Sequence, residues 1–285
     1  MRKIHKKHIL MMALAGAAIL VLGGGYFLYF QNHLSREARM YGEEMKLLKN
    51  HLIIAPDRPE PEAVKVPILV YHHIGPLHAA ATKNLKAFSV DAEMFEKHLA
   101  YLQSKAYTTI SYEQLDNYLL YGAKLPEKPV IISFDDGWEN QYTYALPLLL
   151  KYGFTATFFI PTGIIGHRHL LSWAEIKKLD RAGMVIGSHS ETHPFLDKIP
   201  DEQLKKETME SKKILESGLG KPVNDFAYPY GEYNDRVIRI AKAAGYRTAR
   251  TTDLGIYQKR DIIFRLKGML TFNNFDGFLK NLGEL

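Results

Sequence analysis

The sequence predicts a parallel α/β fold, barrel-like or open, over residues 66–285. Three observations predict it. Short apolar runs alternate with segments of helical period through this whole stretch, the pattern of repeated strand–helix units. Two of the helical segments open on capping boxes, Ser111 with Gln114 and Ser172 with Glu175. Three polar clusters each follow directly on an apolar run, where loops leave the carboxyl ends of parallel strands.

Composition narrows the class before any motif is read. The 285 residues are 46% hydrophobic and 24% charged, with no cysteine. This excludes a disordered or collagen-like chain. It also excludes disulfides, thiolate zinc ligands, a cysteine nucleophile and a lipid-modified N-terminal cysteine. The formal charge is +6, from 37 Lys and Arg against 31 Asp and Glu. Arg2, Lys3, Lys6 and Lys7 supply four of those positives, and without them 33 basic residues face 31 acidic ones. A nearly neutral remainder without a basic run predicts no nucleic-acid partner.

Residues 1–8 are that basic segment, and residues 9–30 are a run without a formal charge. As a helix at 1.5 Å per residue, the run spans roughly 33 Å, enough for a hydrocarbon core of roughly 30 Å. Basic residues ahead of it predict a cytoplasmic N-terminus and an extracellular remainder, a single-pass protein of the cell membrane. Cleavage as a signal peptide, giving a secreted protein, is the other reading. Signal peptides carry an apolar stretch of about 7–15 residues ending in small residues. This run ends Tyr26-Phe27-Leu28-Tyr29-Phe30, which favours an uncleaved anchor.

Residues 31–65 read as a helical stalk and a linker. Leu34, Ala38, Tyr41, Met45, Leu48 and Leu52 form a heptad seam too short for a secure coiled coil. A stalk packed on its own domain or on lipid is preferred to a weak dimer through this seam. Pro56, Pro59 and Pro61 then impose a semi-rigid extended linker.

Strands are expected at 67–71, 130–134, 156–160, 184–188, 225–228 and 246–250. Between them, Phe95, Leu99 and Leu102 share one helical face, as do Trp173, Ile176 and Leu179. The polar clusters are Asp135-Asp136-Gly137, His189-Ser190-Glu191-Thr192-His193-Pro194 and Tyr228-Pro229-Tyr230-Gly231. Alone, the first and third are turn sequences. Two histidines four apart bring their imidazoles to one side, a common metal-ligand spacing. In a parallel barrel the three strand ends share one face, so the clusters meet. A carboxylate with two imidazoles makes a three-ligand site with a position left for water. The second carboxylate can take that water's proton, and a metal on its neighbour relieves the repulsion between them.

These clusters resemble the polysaccharide deacetylase family, the NodB-homology group of carbohydrate esterases. Ser133-Phe134-Asp135-Asp136-Gly137 resembles the family's first motif, usually Thr-Phe-Asp-Asp-Gly. His189 to Pro194 matches its second, His-(Ser/Thr)-x-x-His-Pro. Phe226-Ala227-Tyr228-Pro229-Tyr230-Gly231 resembles its third, and Val66 to Ile74 is similar to the opening strand of the membrane-associated or secreted bacterial subgroup. The resemblance covers roughly residues 66–285 and implies a distorted (β/α) barrel. It implies metal-dependent removal of N-acetyl groups from an extracellular N-acetylglucosamine polymer, either peptidoglycan or poly-N-acetylglucosamine. By carry-over, Asp135 is the general base, and Asp136, His189 and His193 hold a divalent ion, zinc by default. The Tyr230 backbone N–H joins the oxyanion site.

Two departures stand out. The third motif's Arg, which orients the base, is Ala227 here. The late motif that supplies a general-acid His reads Phe264-Arg265-Leu266-Lys267-Gly268-Met269, without His. Both resemble the poly-N-acetylglucosamine subgroup, from which Gly268 departs further. His72 or His73 at the end of the first strand is then the candidate acid, since alternation turns only one inward. A purely structural role for both remains the other reading. Trp138, Tyr228, Tyr230 and Trp173 are candidates for stacking on sugar rings, although Trp173 suits a helix core face. Two further functions stay open: a catalytically weak glycan-binding or scaffold protein, and a hydrolase of small acetylated molecules.

Overall fold

A computed structural model describes residues 63–76 and 83–285. The expected basic segment, membrane anchor, helical stalk with its heptad seam, and most of the linker lie outside the described residues. Among the described residues no helix is long and apolar enough to cross a membrane.

One parallel sheet organises the domain. Its strands are β1 (Ile68–Tyr71), β2 (Thr108–Thr109), β3 (Pro129–Phe134), β4 (Thr157–Ile160), β5 (Val185–Ser188), β6 (Asp225–Ala227), β7 (Thr248–Arg250) and β8 (Met269–Leu270). They pair in the order β7-β6-β5-β4-β3-β1-β8, with β2 added on β3. Helices α1 (Lys83–Ala87), α2 (Ala92–Ser104), α3 (Tyr112–Tyr121), α4 (Leu146–Tyr152), α5 (Trp173–Arg181), α6 (Asp201–Leu219), α7 (Asp235–Ala243) and α8 (Phe275–Leu282) fill the connections.

The six expected strands are all present, one or two residues shorter or longer at their ends. Two were not foreseen, β2 and β8, because two residues carry no periodic signal. Val64–Lys65 also pairs antiparallel with Tyr257–Gln258, just ahead of the expected domain start. Both expected capping boxes form. In each, the Ser side chain accepts the N–H of the third helical residue, whose own side chain caps the Ser N–H.

Alternation along the strands splits the buried residues between two cores. Leu69, Tyr71, Ile132, Phe134, Phe158 and Ile160 join the larger core with the helices, including Phe95, Leu99, Leu102, Ile176 and Leu179. Ile68, Val70, Ile131, Phe159, Ala227 and Leu266 form a second core with Tyr112, Leu115 and Leu119 of α3. A sheet buried on both faces requires strands that read as continuous apolar runs, and β1 and β3 are buried throughout.

The sheet curls until its ends approach. Leu266, three residues before β8, donates to Ala249 O and accepts from Thr251 N–H, each at 2.9 Å. Gly268 lies in this seam, where an added Cβ would stand 2.6 Å from Arg250 Cδ and 2.8 Å from Thr251 O. The result is a curled parallel-sheet half-barrel. Ser133 and Asp135 continue the parity of Ile131, and His72 that of Ile68 and Val70. The inward row of each strand therefore runs toward the carboxyl-end rim.

Candidate metal centre and active site

His189 is the first residue past β5. Its Nδ1 lies 2.8 Å from the carbonyl oxygen of Ala227 at the end of β6. That contact places the proton on Nδ1 and leaves Nε2 as the free lone-pair donor. The chain then doubles back through Ser190 and His193, at φ 66° and 59°. Ser190 Oγ accepts the His193 N–H at 3.0 Å. The two Nε2 atoms stand 3.2 Å apart. Asp136, at φ 70° in the turn after β3, places Oδ1 3.6 Å from His189 Nε2 and 3.4 Å from His193 Nε2. Its other oxygen accepts the Trp138 indole N–H at 3.3 Å.

Asp136, His189 and His193 bring their ligand atoms within 4.8 Å of one another, the only such group among the described residues. Two imidazole nitrogens and one carboxylate oxygen suit a divalent cation of borderline softness. His189 and Asp136 already hold the protonation state that a ligand needs, and His193 would release its proton on binding a metal ion. Burial pushes His189 down to about 4, so it is neutral at neutral pH, as a ligand must be. Burial also lowers His193, but its hydrogen bond with Asp136 outweighs this and holds it above its ordinary value. Burial raises the Asp136 carboxyl, and the hydrogen bond and charges of the neighbouring imidazoles pull it below the usual range. The donor set therefore fits a metal ion.

Asp135 sits beside this cluster, only 3% exposed. Arg250, fully buried at the end of β7, places Nη2 2.5 Å and 2.6 Å from its two oxygens. Burial would raise the Asp135 carboxyl, but the guanidinium outweighs it and holds the group below its ordinary value. The sequence reading missed Arg250. Its signal was present: a charged residue closing a strand expected to be buried. In the ladder Arg250 is the direct neighbour of Ala227, the position where the third motif expects its Arg. Gly268, the other departure, clears the space around the Arg250 side chain.

His72 Nε2 lies 4.0 Å from Asp135 Oδ2. His73 turns the other way, its ring 6.0 Å from Trp138 and roughly perpendicular to it. Of the two candidates, the structure brings His72 to Asp135 and carries His73 to the Trp138 side. Gln141, an unforeseen residue, ties this corner together by donating to His72 O at 2.8 Å and Asp135 O at 2.5 Å.

The aromatic candidates separate. Tyr228 is 1% exposed and its hydroxyl donates to Phe264 O, so it cannot stack on a sugar. Trp173 packs on Gly218, where a Cβ would lie 2.3 Å from the indole. Tyr230 is 51% exposed, at φ 60°, with its ring stacked on Phe195 at 3.9 Å and 4.7 Å from His193.

An Asp-His-His cluster beside a buried aspartate, on the carboxyl rim of a curled parallel sheet, defines the class: an α/β half-barrel able to hold a divalent cation. Residues 122–249 match the family model for polysaccharide deacetylase. The chain thus carries a polysaccharide deacetylase domain. It is 32% identical over 191 residues to the putative polysaccharide deacetylase YxkH of Bacillus subtilis, covering 67% of this chain and 66% of that one. It is 30% identical over 183 residues to the poly-beta-1,6-N-acetyl-D-glucosamine N-deacetylase of Staphylococcus aureus, covering 59% of this chain and 62% of that one. Just under two thirds of each of these curated relatives is thus spanned. The Streptococcus pyogenes deacetylase PplD, solved in complex with acetate, superposes with a TM-score of 0.72 at 28% identity, covering 77% of this chain and 99% of that one.

Proposed function

We propose that this domain is a metal-dependent N-deacetylase that releases acetate from an extracellular polymer of N-acetylglucosamine, anchored by residues 9–30 with its catalytic part outside the cell. The observation that carries the reading is the pairing of the Asp136–His189–His193 cluster with the buried Asp135–Arg250 ion pair. Poly-N-acetylglucosamine is preferred to peptidoglycan as the polymer. A Staphylococcus aureus relative acts on the former, and Ala227 resembles that subgroup. The polymer and the membrane are then the partners. Zinc is the ion the donor set favours.

When bound at these three residues, a divalent ion would polarise the acetyl carbonyl and lower the pKa of a water molecule. The protein's own groups do the rest. Asp135 takes the proton from the attacking water, and Arg250 keeps it ionised and aimed. The Tyr230 N–H, carried on the tight turn beside His193, donates to the developing oxyanion. His72, on the same inward row as Asp135, delivers a proton to the departing amine. Tyr230 with Phe195 offers a flat apolar face to a neighbouring sugar ring.

The test is acetate release from oligo-N-acetylglucosamine and from purified peptidoglycan, with and without a chelator. Release that the chelator stops, and that Asp135→Asn abolishes, is the expected result. A chain that binds metal yet frees no acetate from either polymer would instead be the glycan-binding scaffold. Arg250 weakens that alternative by supplying a guanidinium for the missing third-motif Arg, one of its two supports beside the missing late His.

A further inference from the structure

We propose that Glu207 is a positioning residue for the metal centre, holding the 189–193 loop in the one shape that turns both imidazoles to a common point. The inference rests on the metal reading above and concerns a residue outside the family motifs.

Glu207 lies on the inner face of α6 with Leu204, Thr208, Ser211 and Leu215, all buried. A carboxylate that is 3% exposed on such a face is costly unless it is fully paired. Among the described residues no Lys, Arg or His forms an ion pair with it. Its partners are instead three donors from the stretch between the two histidines. Oε2 accepts the Glu191 N–H at 2.9 Å and the Thr192 N–H at 2.7 Å. Oε1 accepts the Thr192 hydroxyl at 2.5 Å.

The opposite edge of the loop is also held. Thr162 N–H donates to Ser190 O at 3.1 Å and Gly163 N–H to Glu191 O at 2.7 Å. A Cβ on Gly163 would stand 2.8 Å from that oxygen, so the approach requires glycine. This clamp has work to do. Ser190 and His193 both sit at positive φ, a conformation that non-glycine residues keep only when their surroundings over-determine it. His193 reaches the metal point because of that backbone, and Glu207 is the side chain that fixes it from the helix.

The experiment uses the full-length chain, stripped of metal and titrated with zinc ions alone against a chromophoric chelator. Glu207→Ala is expected to raise the zinc dissociation constant by about 10–100-fold, as loss of an outer-shell partner does. Thr192→Val removes a single donor and leaves the buried carboxylate intact, and it should raise the constant a few-fold. Hydrogen exchange at the Glu191 and Thr192 amides of the metal-free chain should accelerate in both variants. Folded Glu207→Ala with wild-type zinc affinity overturns the proposal. If that variant fails to fold, unchanged affinity and exchange in Thr192→Val overturn it instead. A wild-type chain that binds no zinc refutes the metal reading, while amide exchange still decides whether Glu207 holds the loop.

Discussion

Arg250 grips both carboxylate oxygens of Asp135 from the strand next to the one where the family motif leads one to expect an arginine. Ala227 and Arg250 are paired in the ladder and share the inward row, so a guanidinium from either could reach Asp135. Gly268 belongs to the same arrangement, since any side chain there would strike Arg250 Cδ. Removing Arg250 leaves a buried carboxylate unpaired, which costs about 3–5 kcal/mol where such pairs have been broken. Arg250→Ala should therefore lower stability by a few kcal/mol and cut acetate release at least about 100-fold. Adding Ala227→Arg to that variant should recover at least about tenfold of the lost rate. Acetate release and denaturant unfolding on the three proteins decide it, and no recovery in the double variant would mean the two strands are not interchangeable.

The two neighbouring aspartates should separate on substitution. Asp136→Asn, His189→Ala and His193→Ala each remove a ligand atom from the convergent group, so both metal binding and acetate release should be lost. Asp135→Asn should keep metal affinity near wild type while acetate release falls about 10²–10⁴-fold. Direct metal analysis beside an acetate assay reads both quantities. Equal loss of metal in Asp135→Asn would move that residue into the ligand set.

The clusters after β3, β5 and β6 were legible because each couples an apolar run to a polar end, and parallel strands send those ends to one rim. The same logic gave the six main strands and both capping boxes. Arg250 was visible as a charge closing a buried strand, but its pairing with Asp135 was not legible, because which strand neighbours Ala227 is a property of sheet order and register, and neither is written locally. The choice between His72 and His73 needed the same information: alternation says that one faces inward, but only the observed core shows Ile68 and Val70 on the inner row. Tyr228 misled for a related reason. Its motif suggested a platform, yet its parity sends it outward beneath the helices, where the hydroxyl finds Phe264 O. β2 and β8 escaped because a two-residue strand exists only by virtue of its partner.

His72 and His73 should differ in kind. His72 Nε2 is 4.0 Å from Asp135 Oδ2, while the His73 ring faces Trp138. If His72 supplies the proton to the leaving amine, His72→Ala should lower kcat by about 100-fold with little change in KM. His73→Ala should leave kcat within a few-fold of wild type. Steady-state rates with an N-acetylglucosamine oligomer settle the matter, and full kcat in both variants would leave the leaving amine to solvent.

Acid should destabilise the domain through His98, a residue outside the metal cluster. His98 is fully buried on α2, its ring stacked on Phe278 at 4.1 Å and its Nδ1 3.1 Å from the Tyr71 hydroxyl. Burial, with a smaller contribution from Lys97, pushes it down to about 3. The unfolded chain takes up that proton near pH 6.5, so between roughly pH 6.5 and 3 the unfolded state binds more protons and stability is lost as pH falls. Asp225, which burial raises to about 6, acts in the opposite sense between roughly pH 4 and 6 and flattens the wild-type curve there. Comparison with a variant isolates the histidine. Going from pH 7 to 4.5, the wild type should lose about 2–3 kcal/mol more stability than His98→Phe, which keeps a ring against Phe278 and cannot be protonated. Denaturant unfolding of both proteins at the two pH values measures the difference, and parallel curves would show that His98 is not the group being protonated.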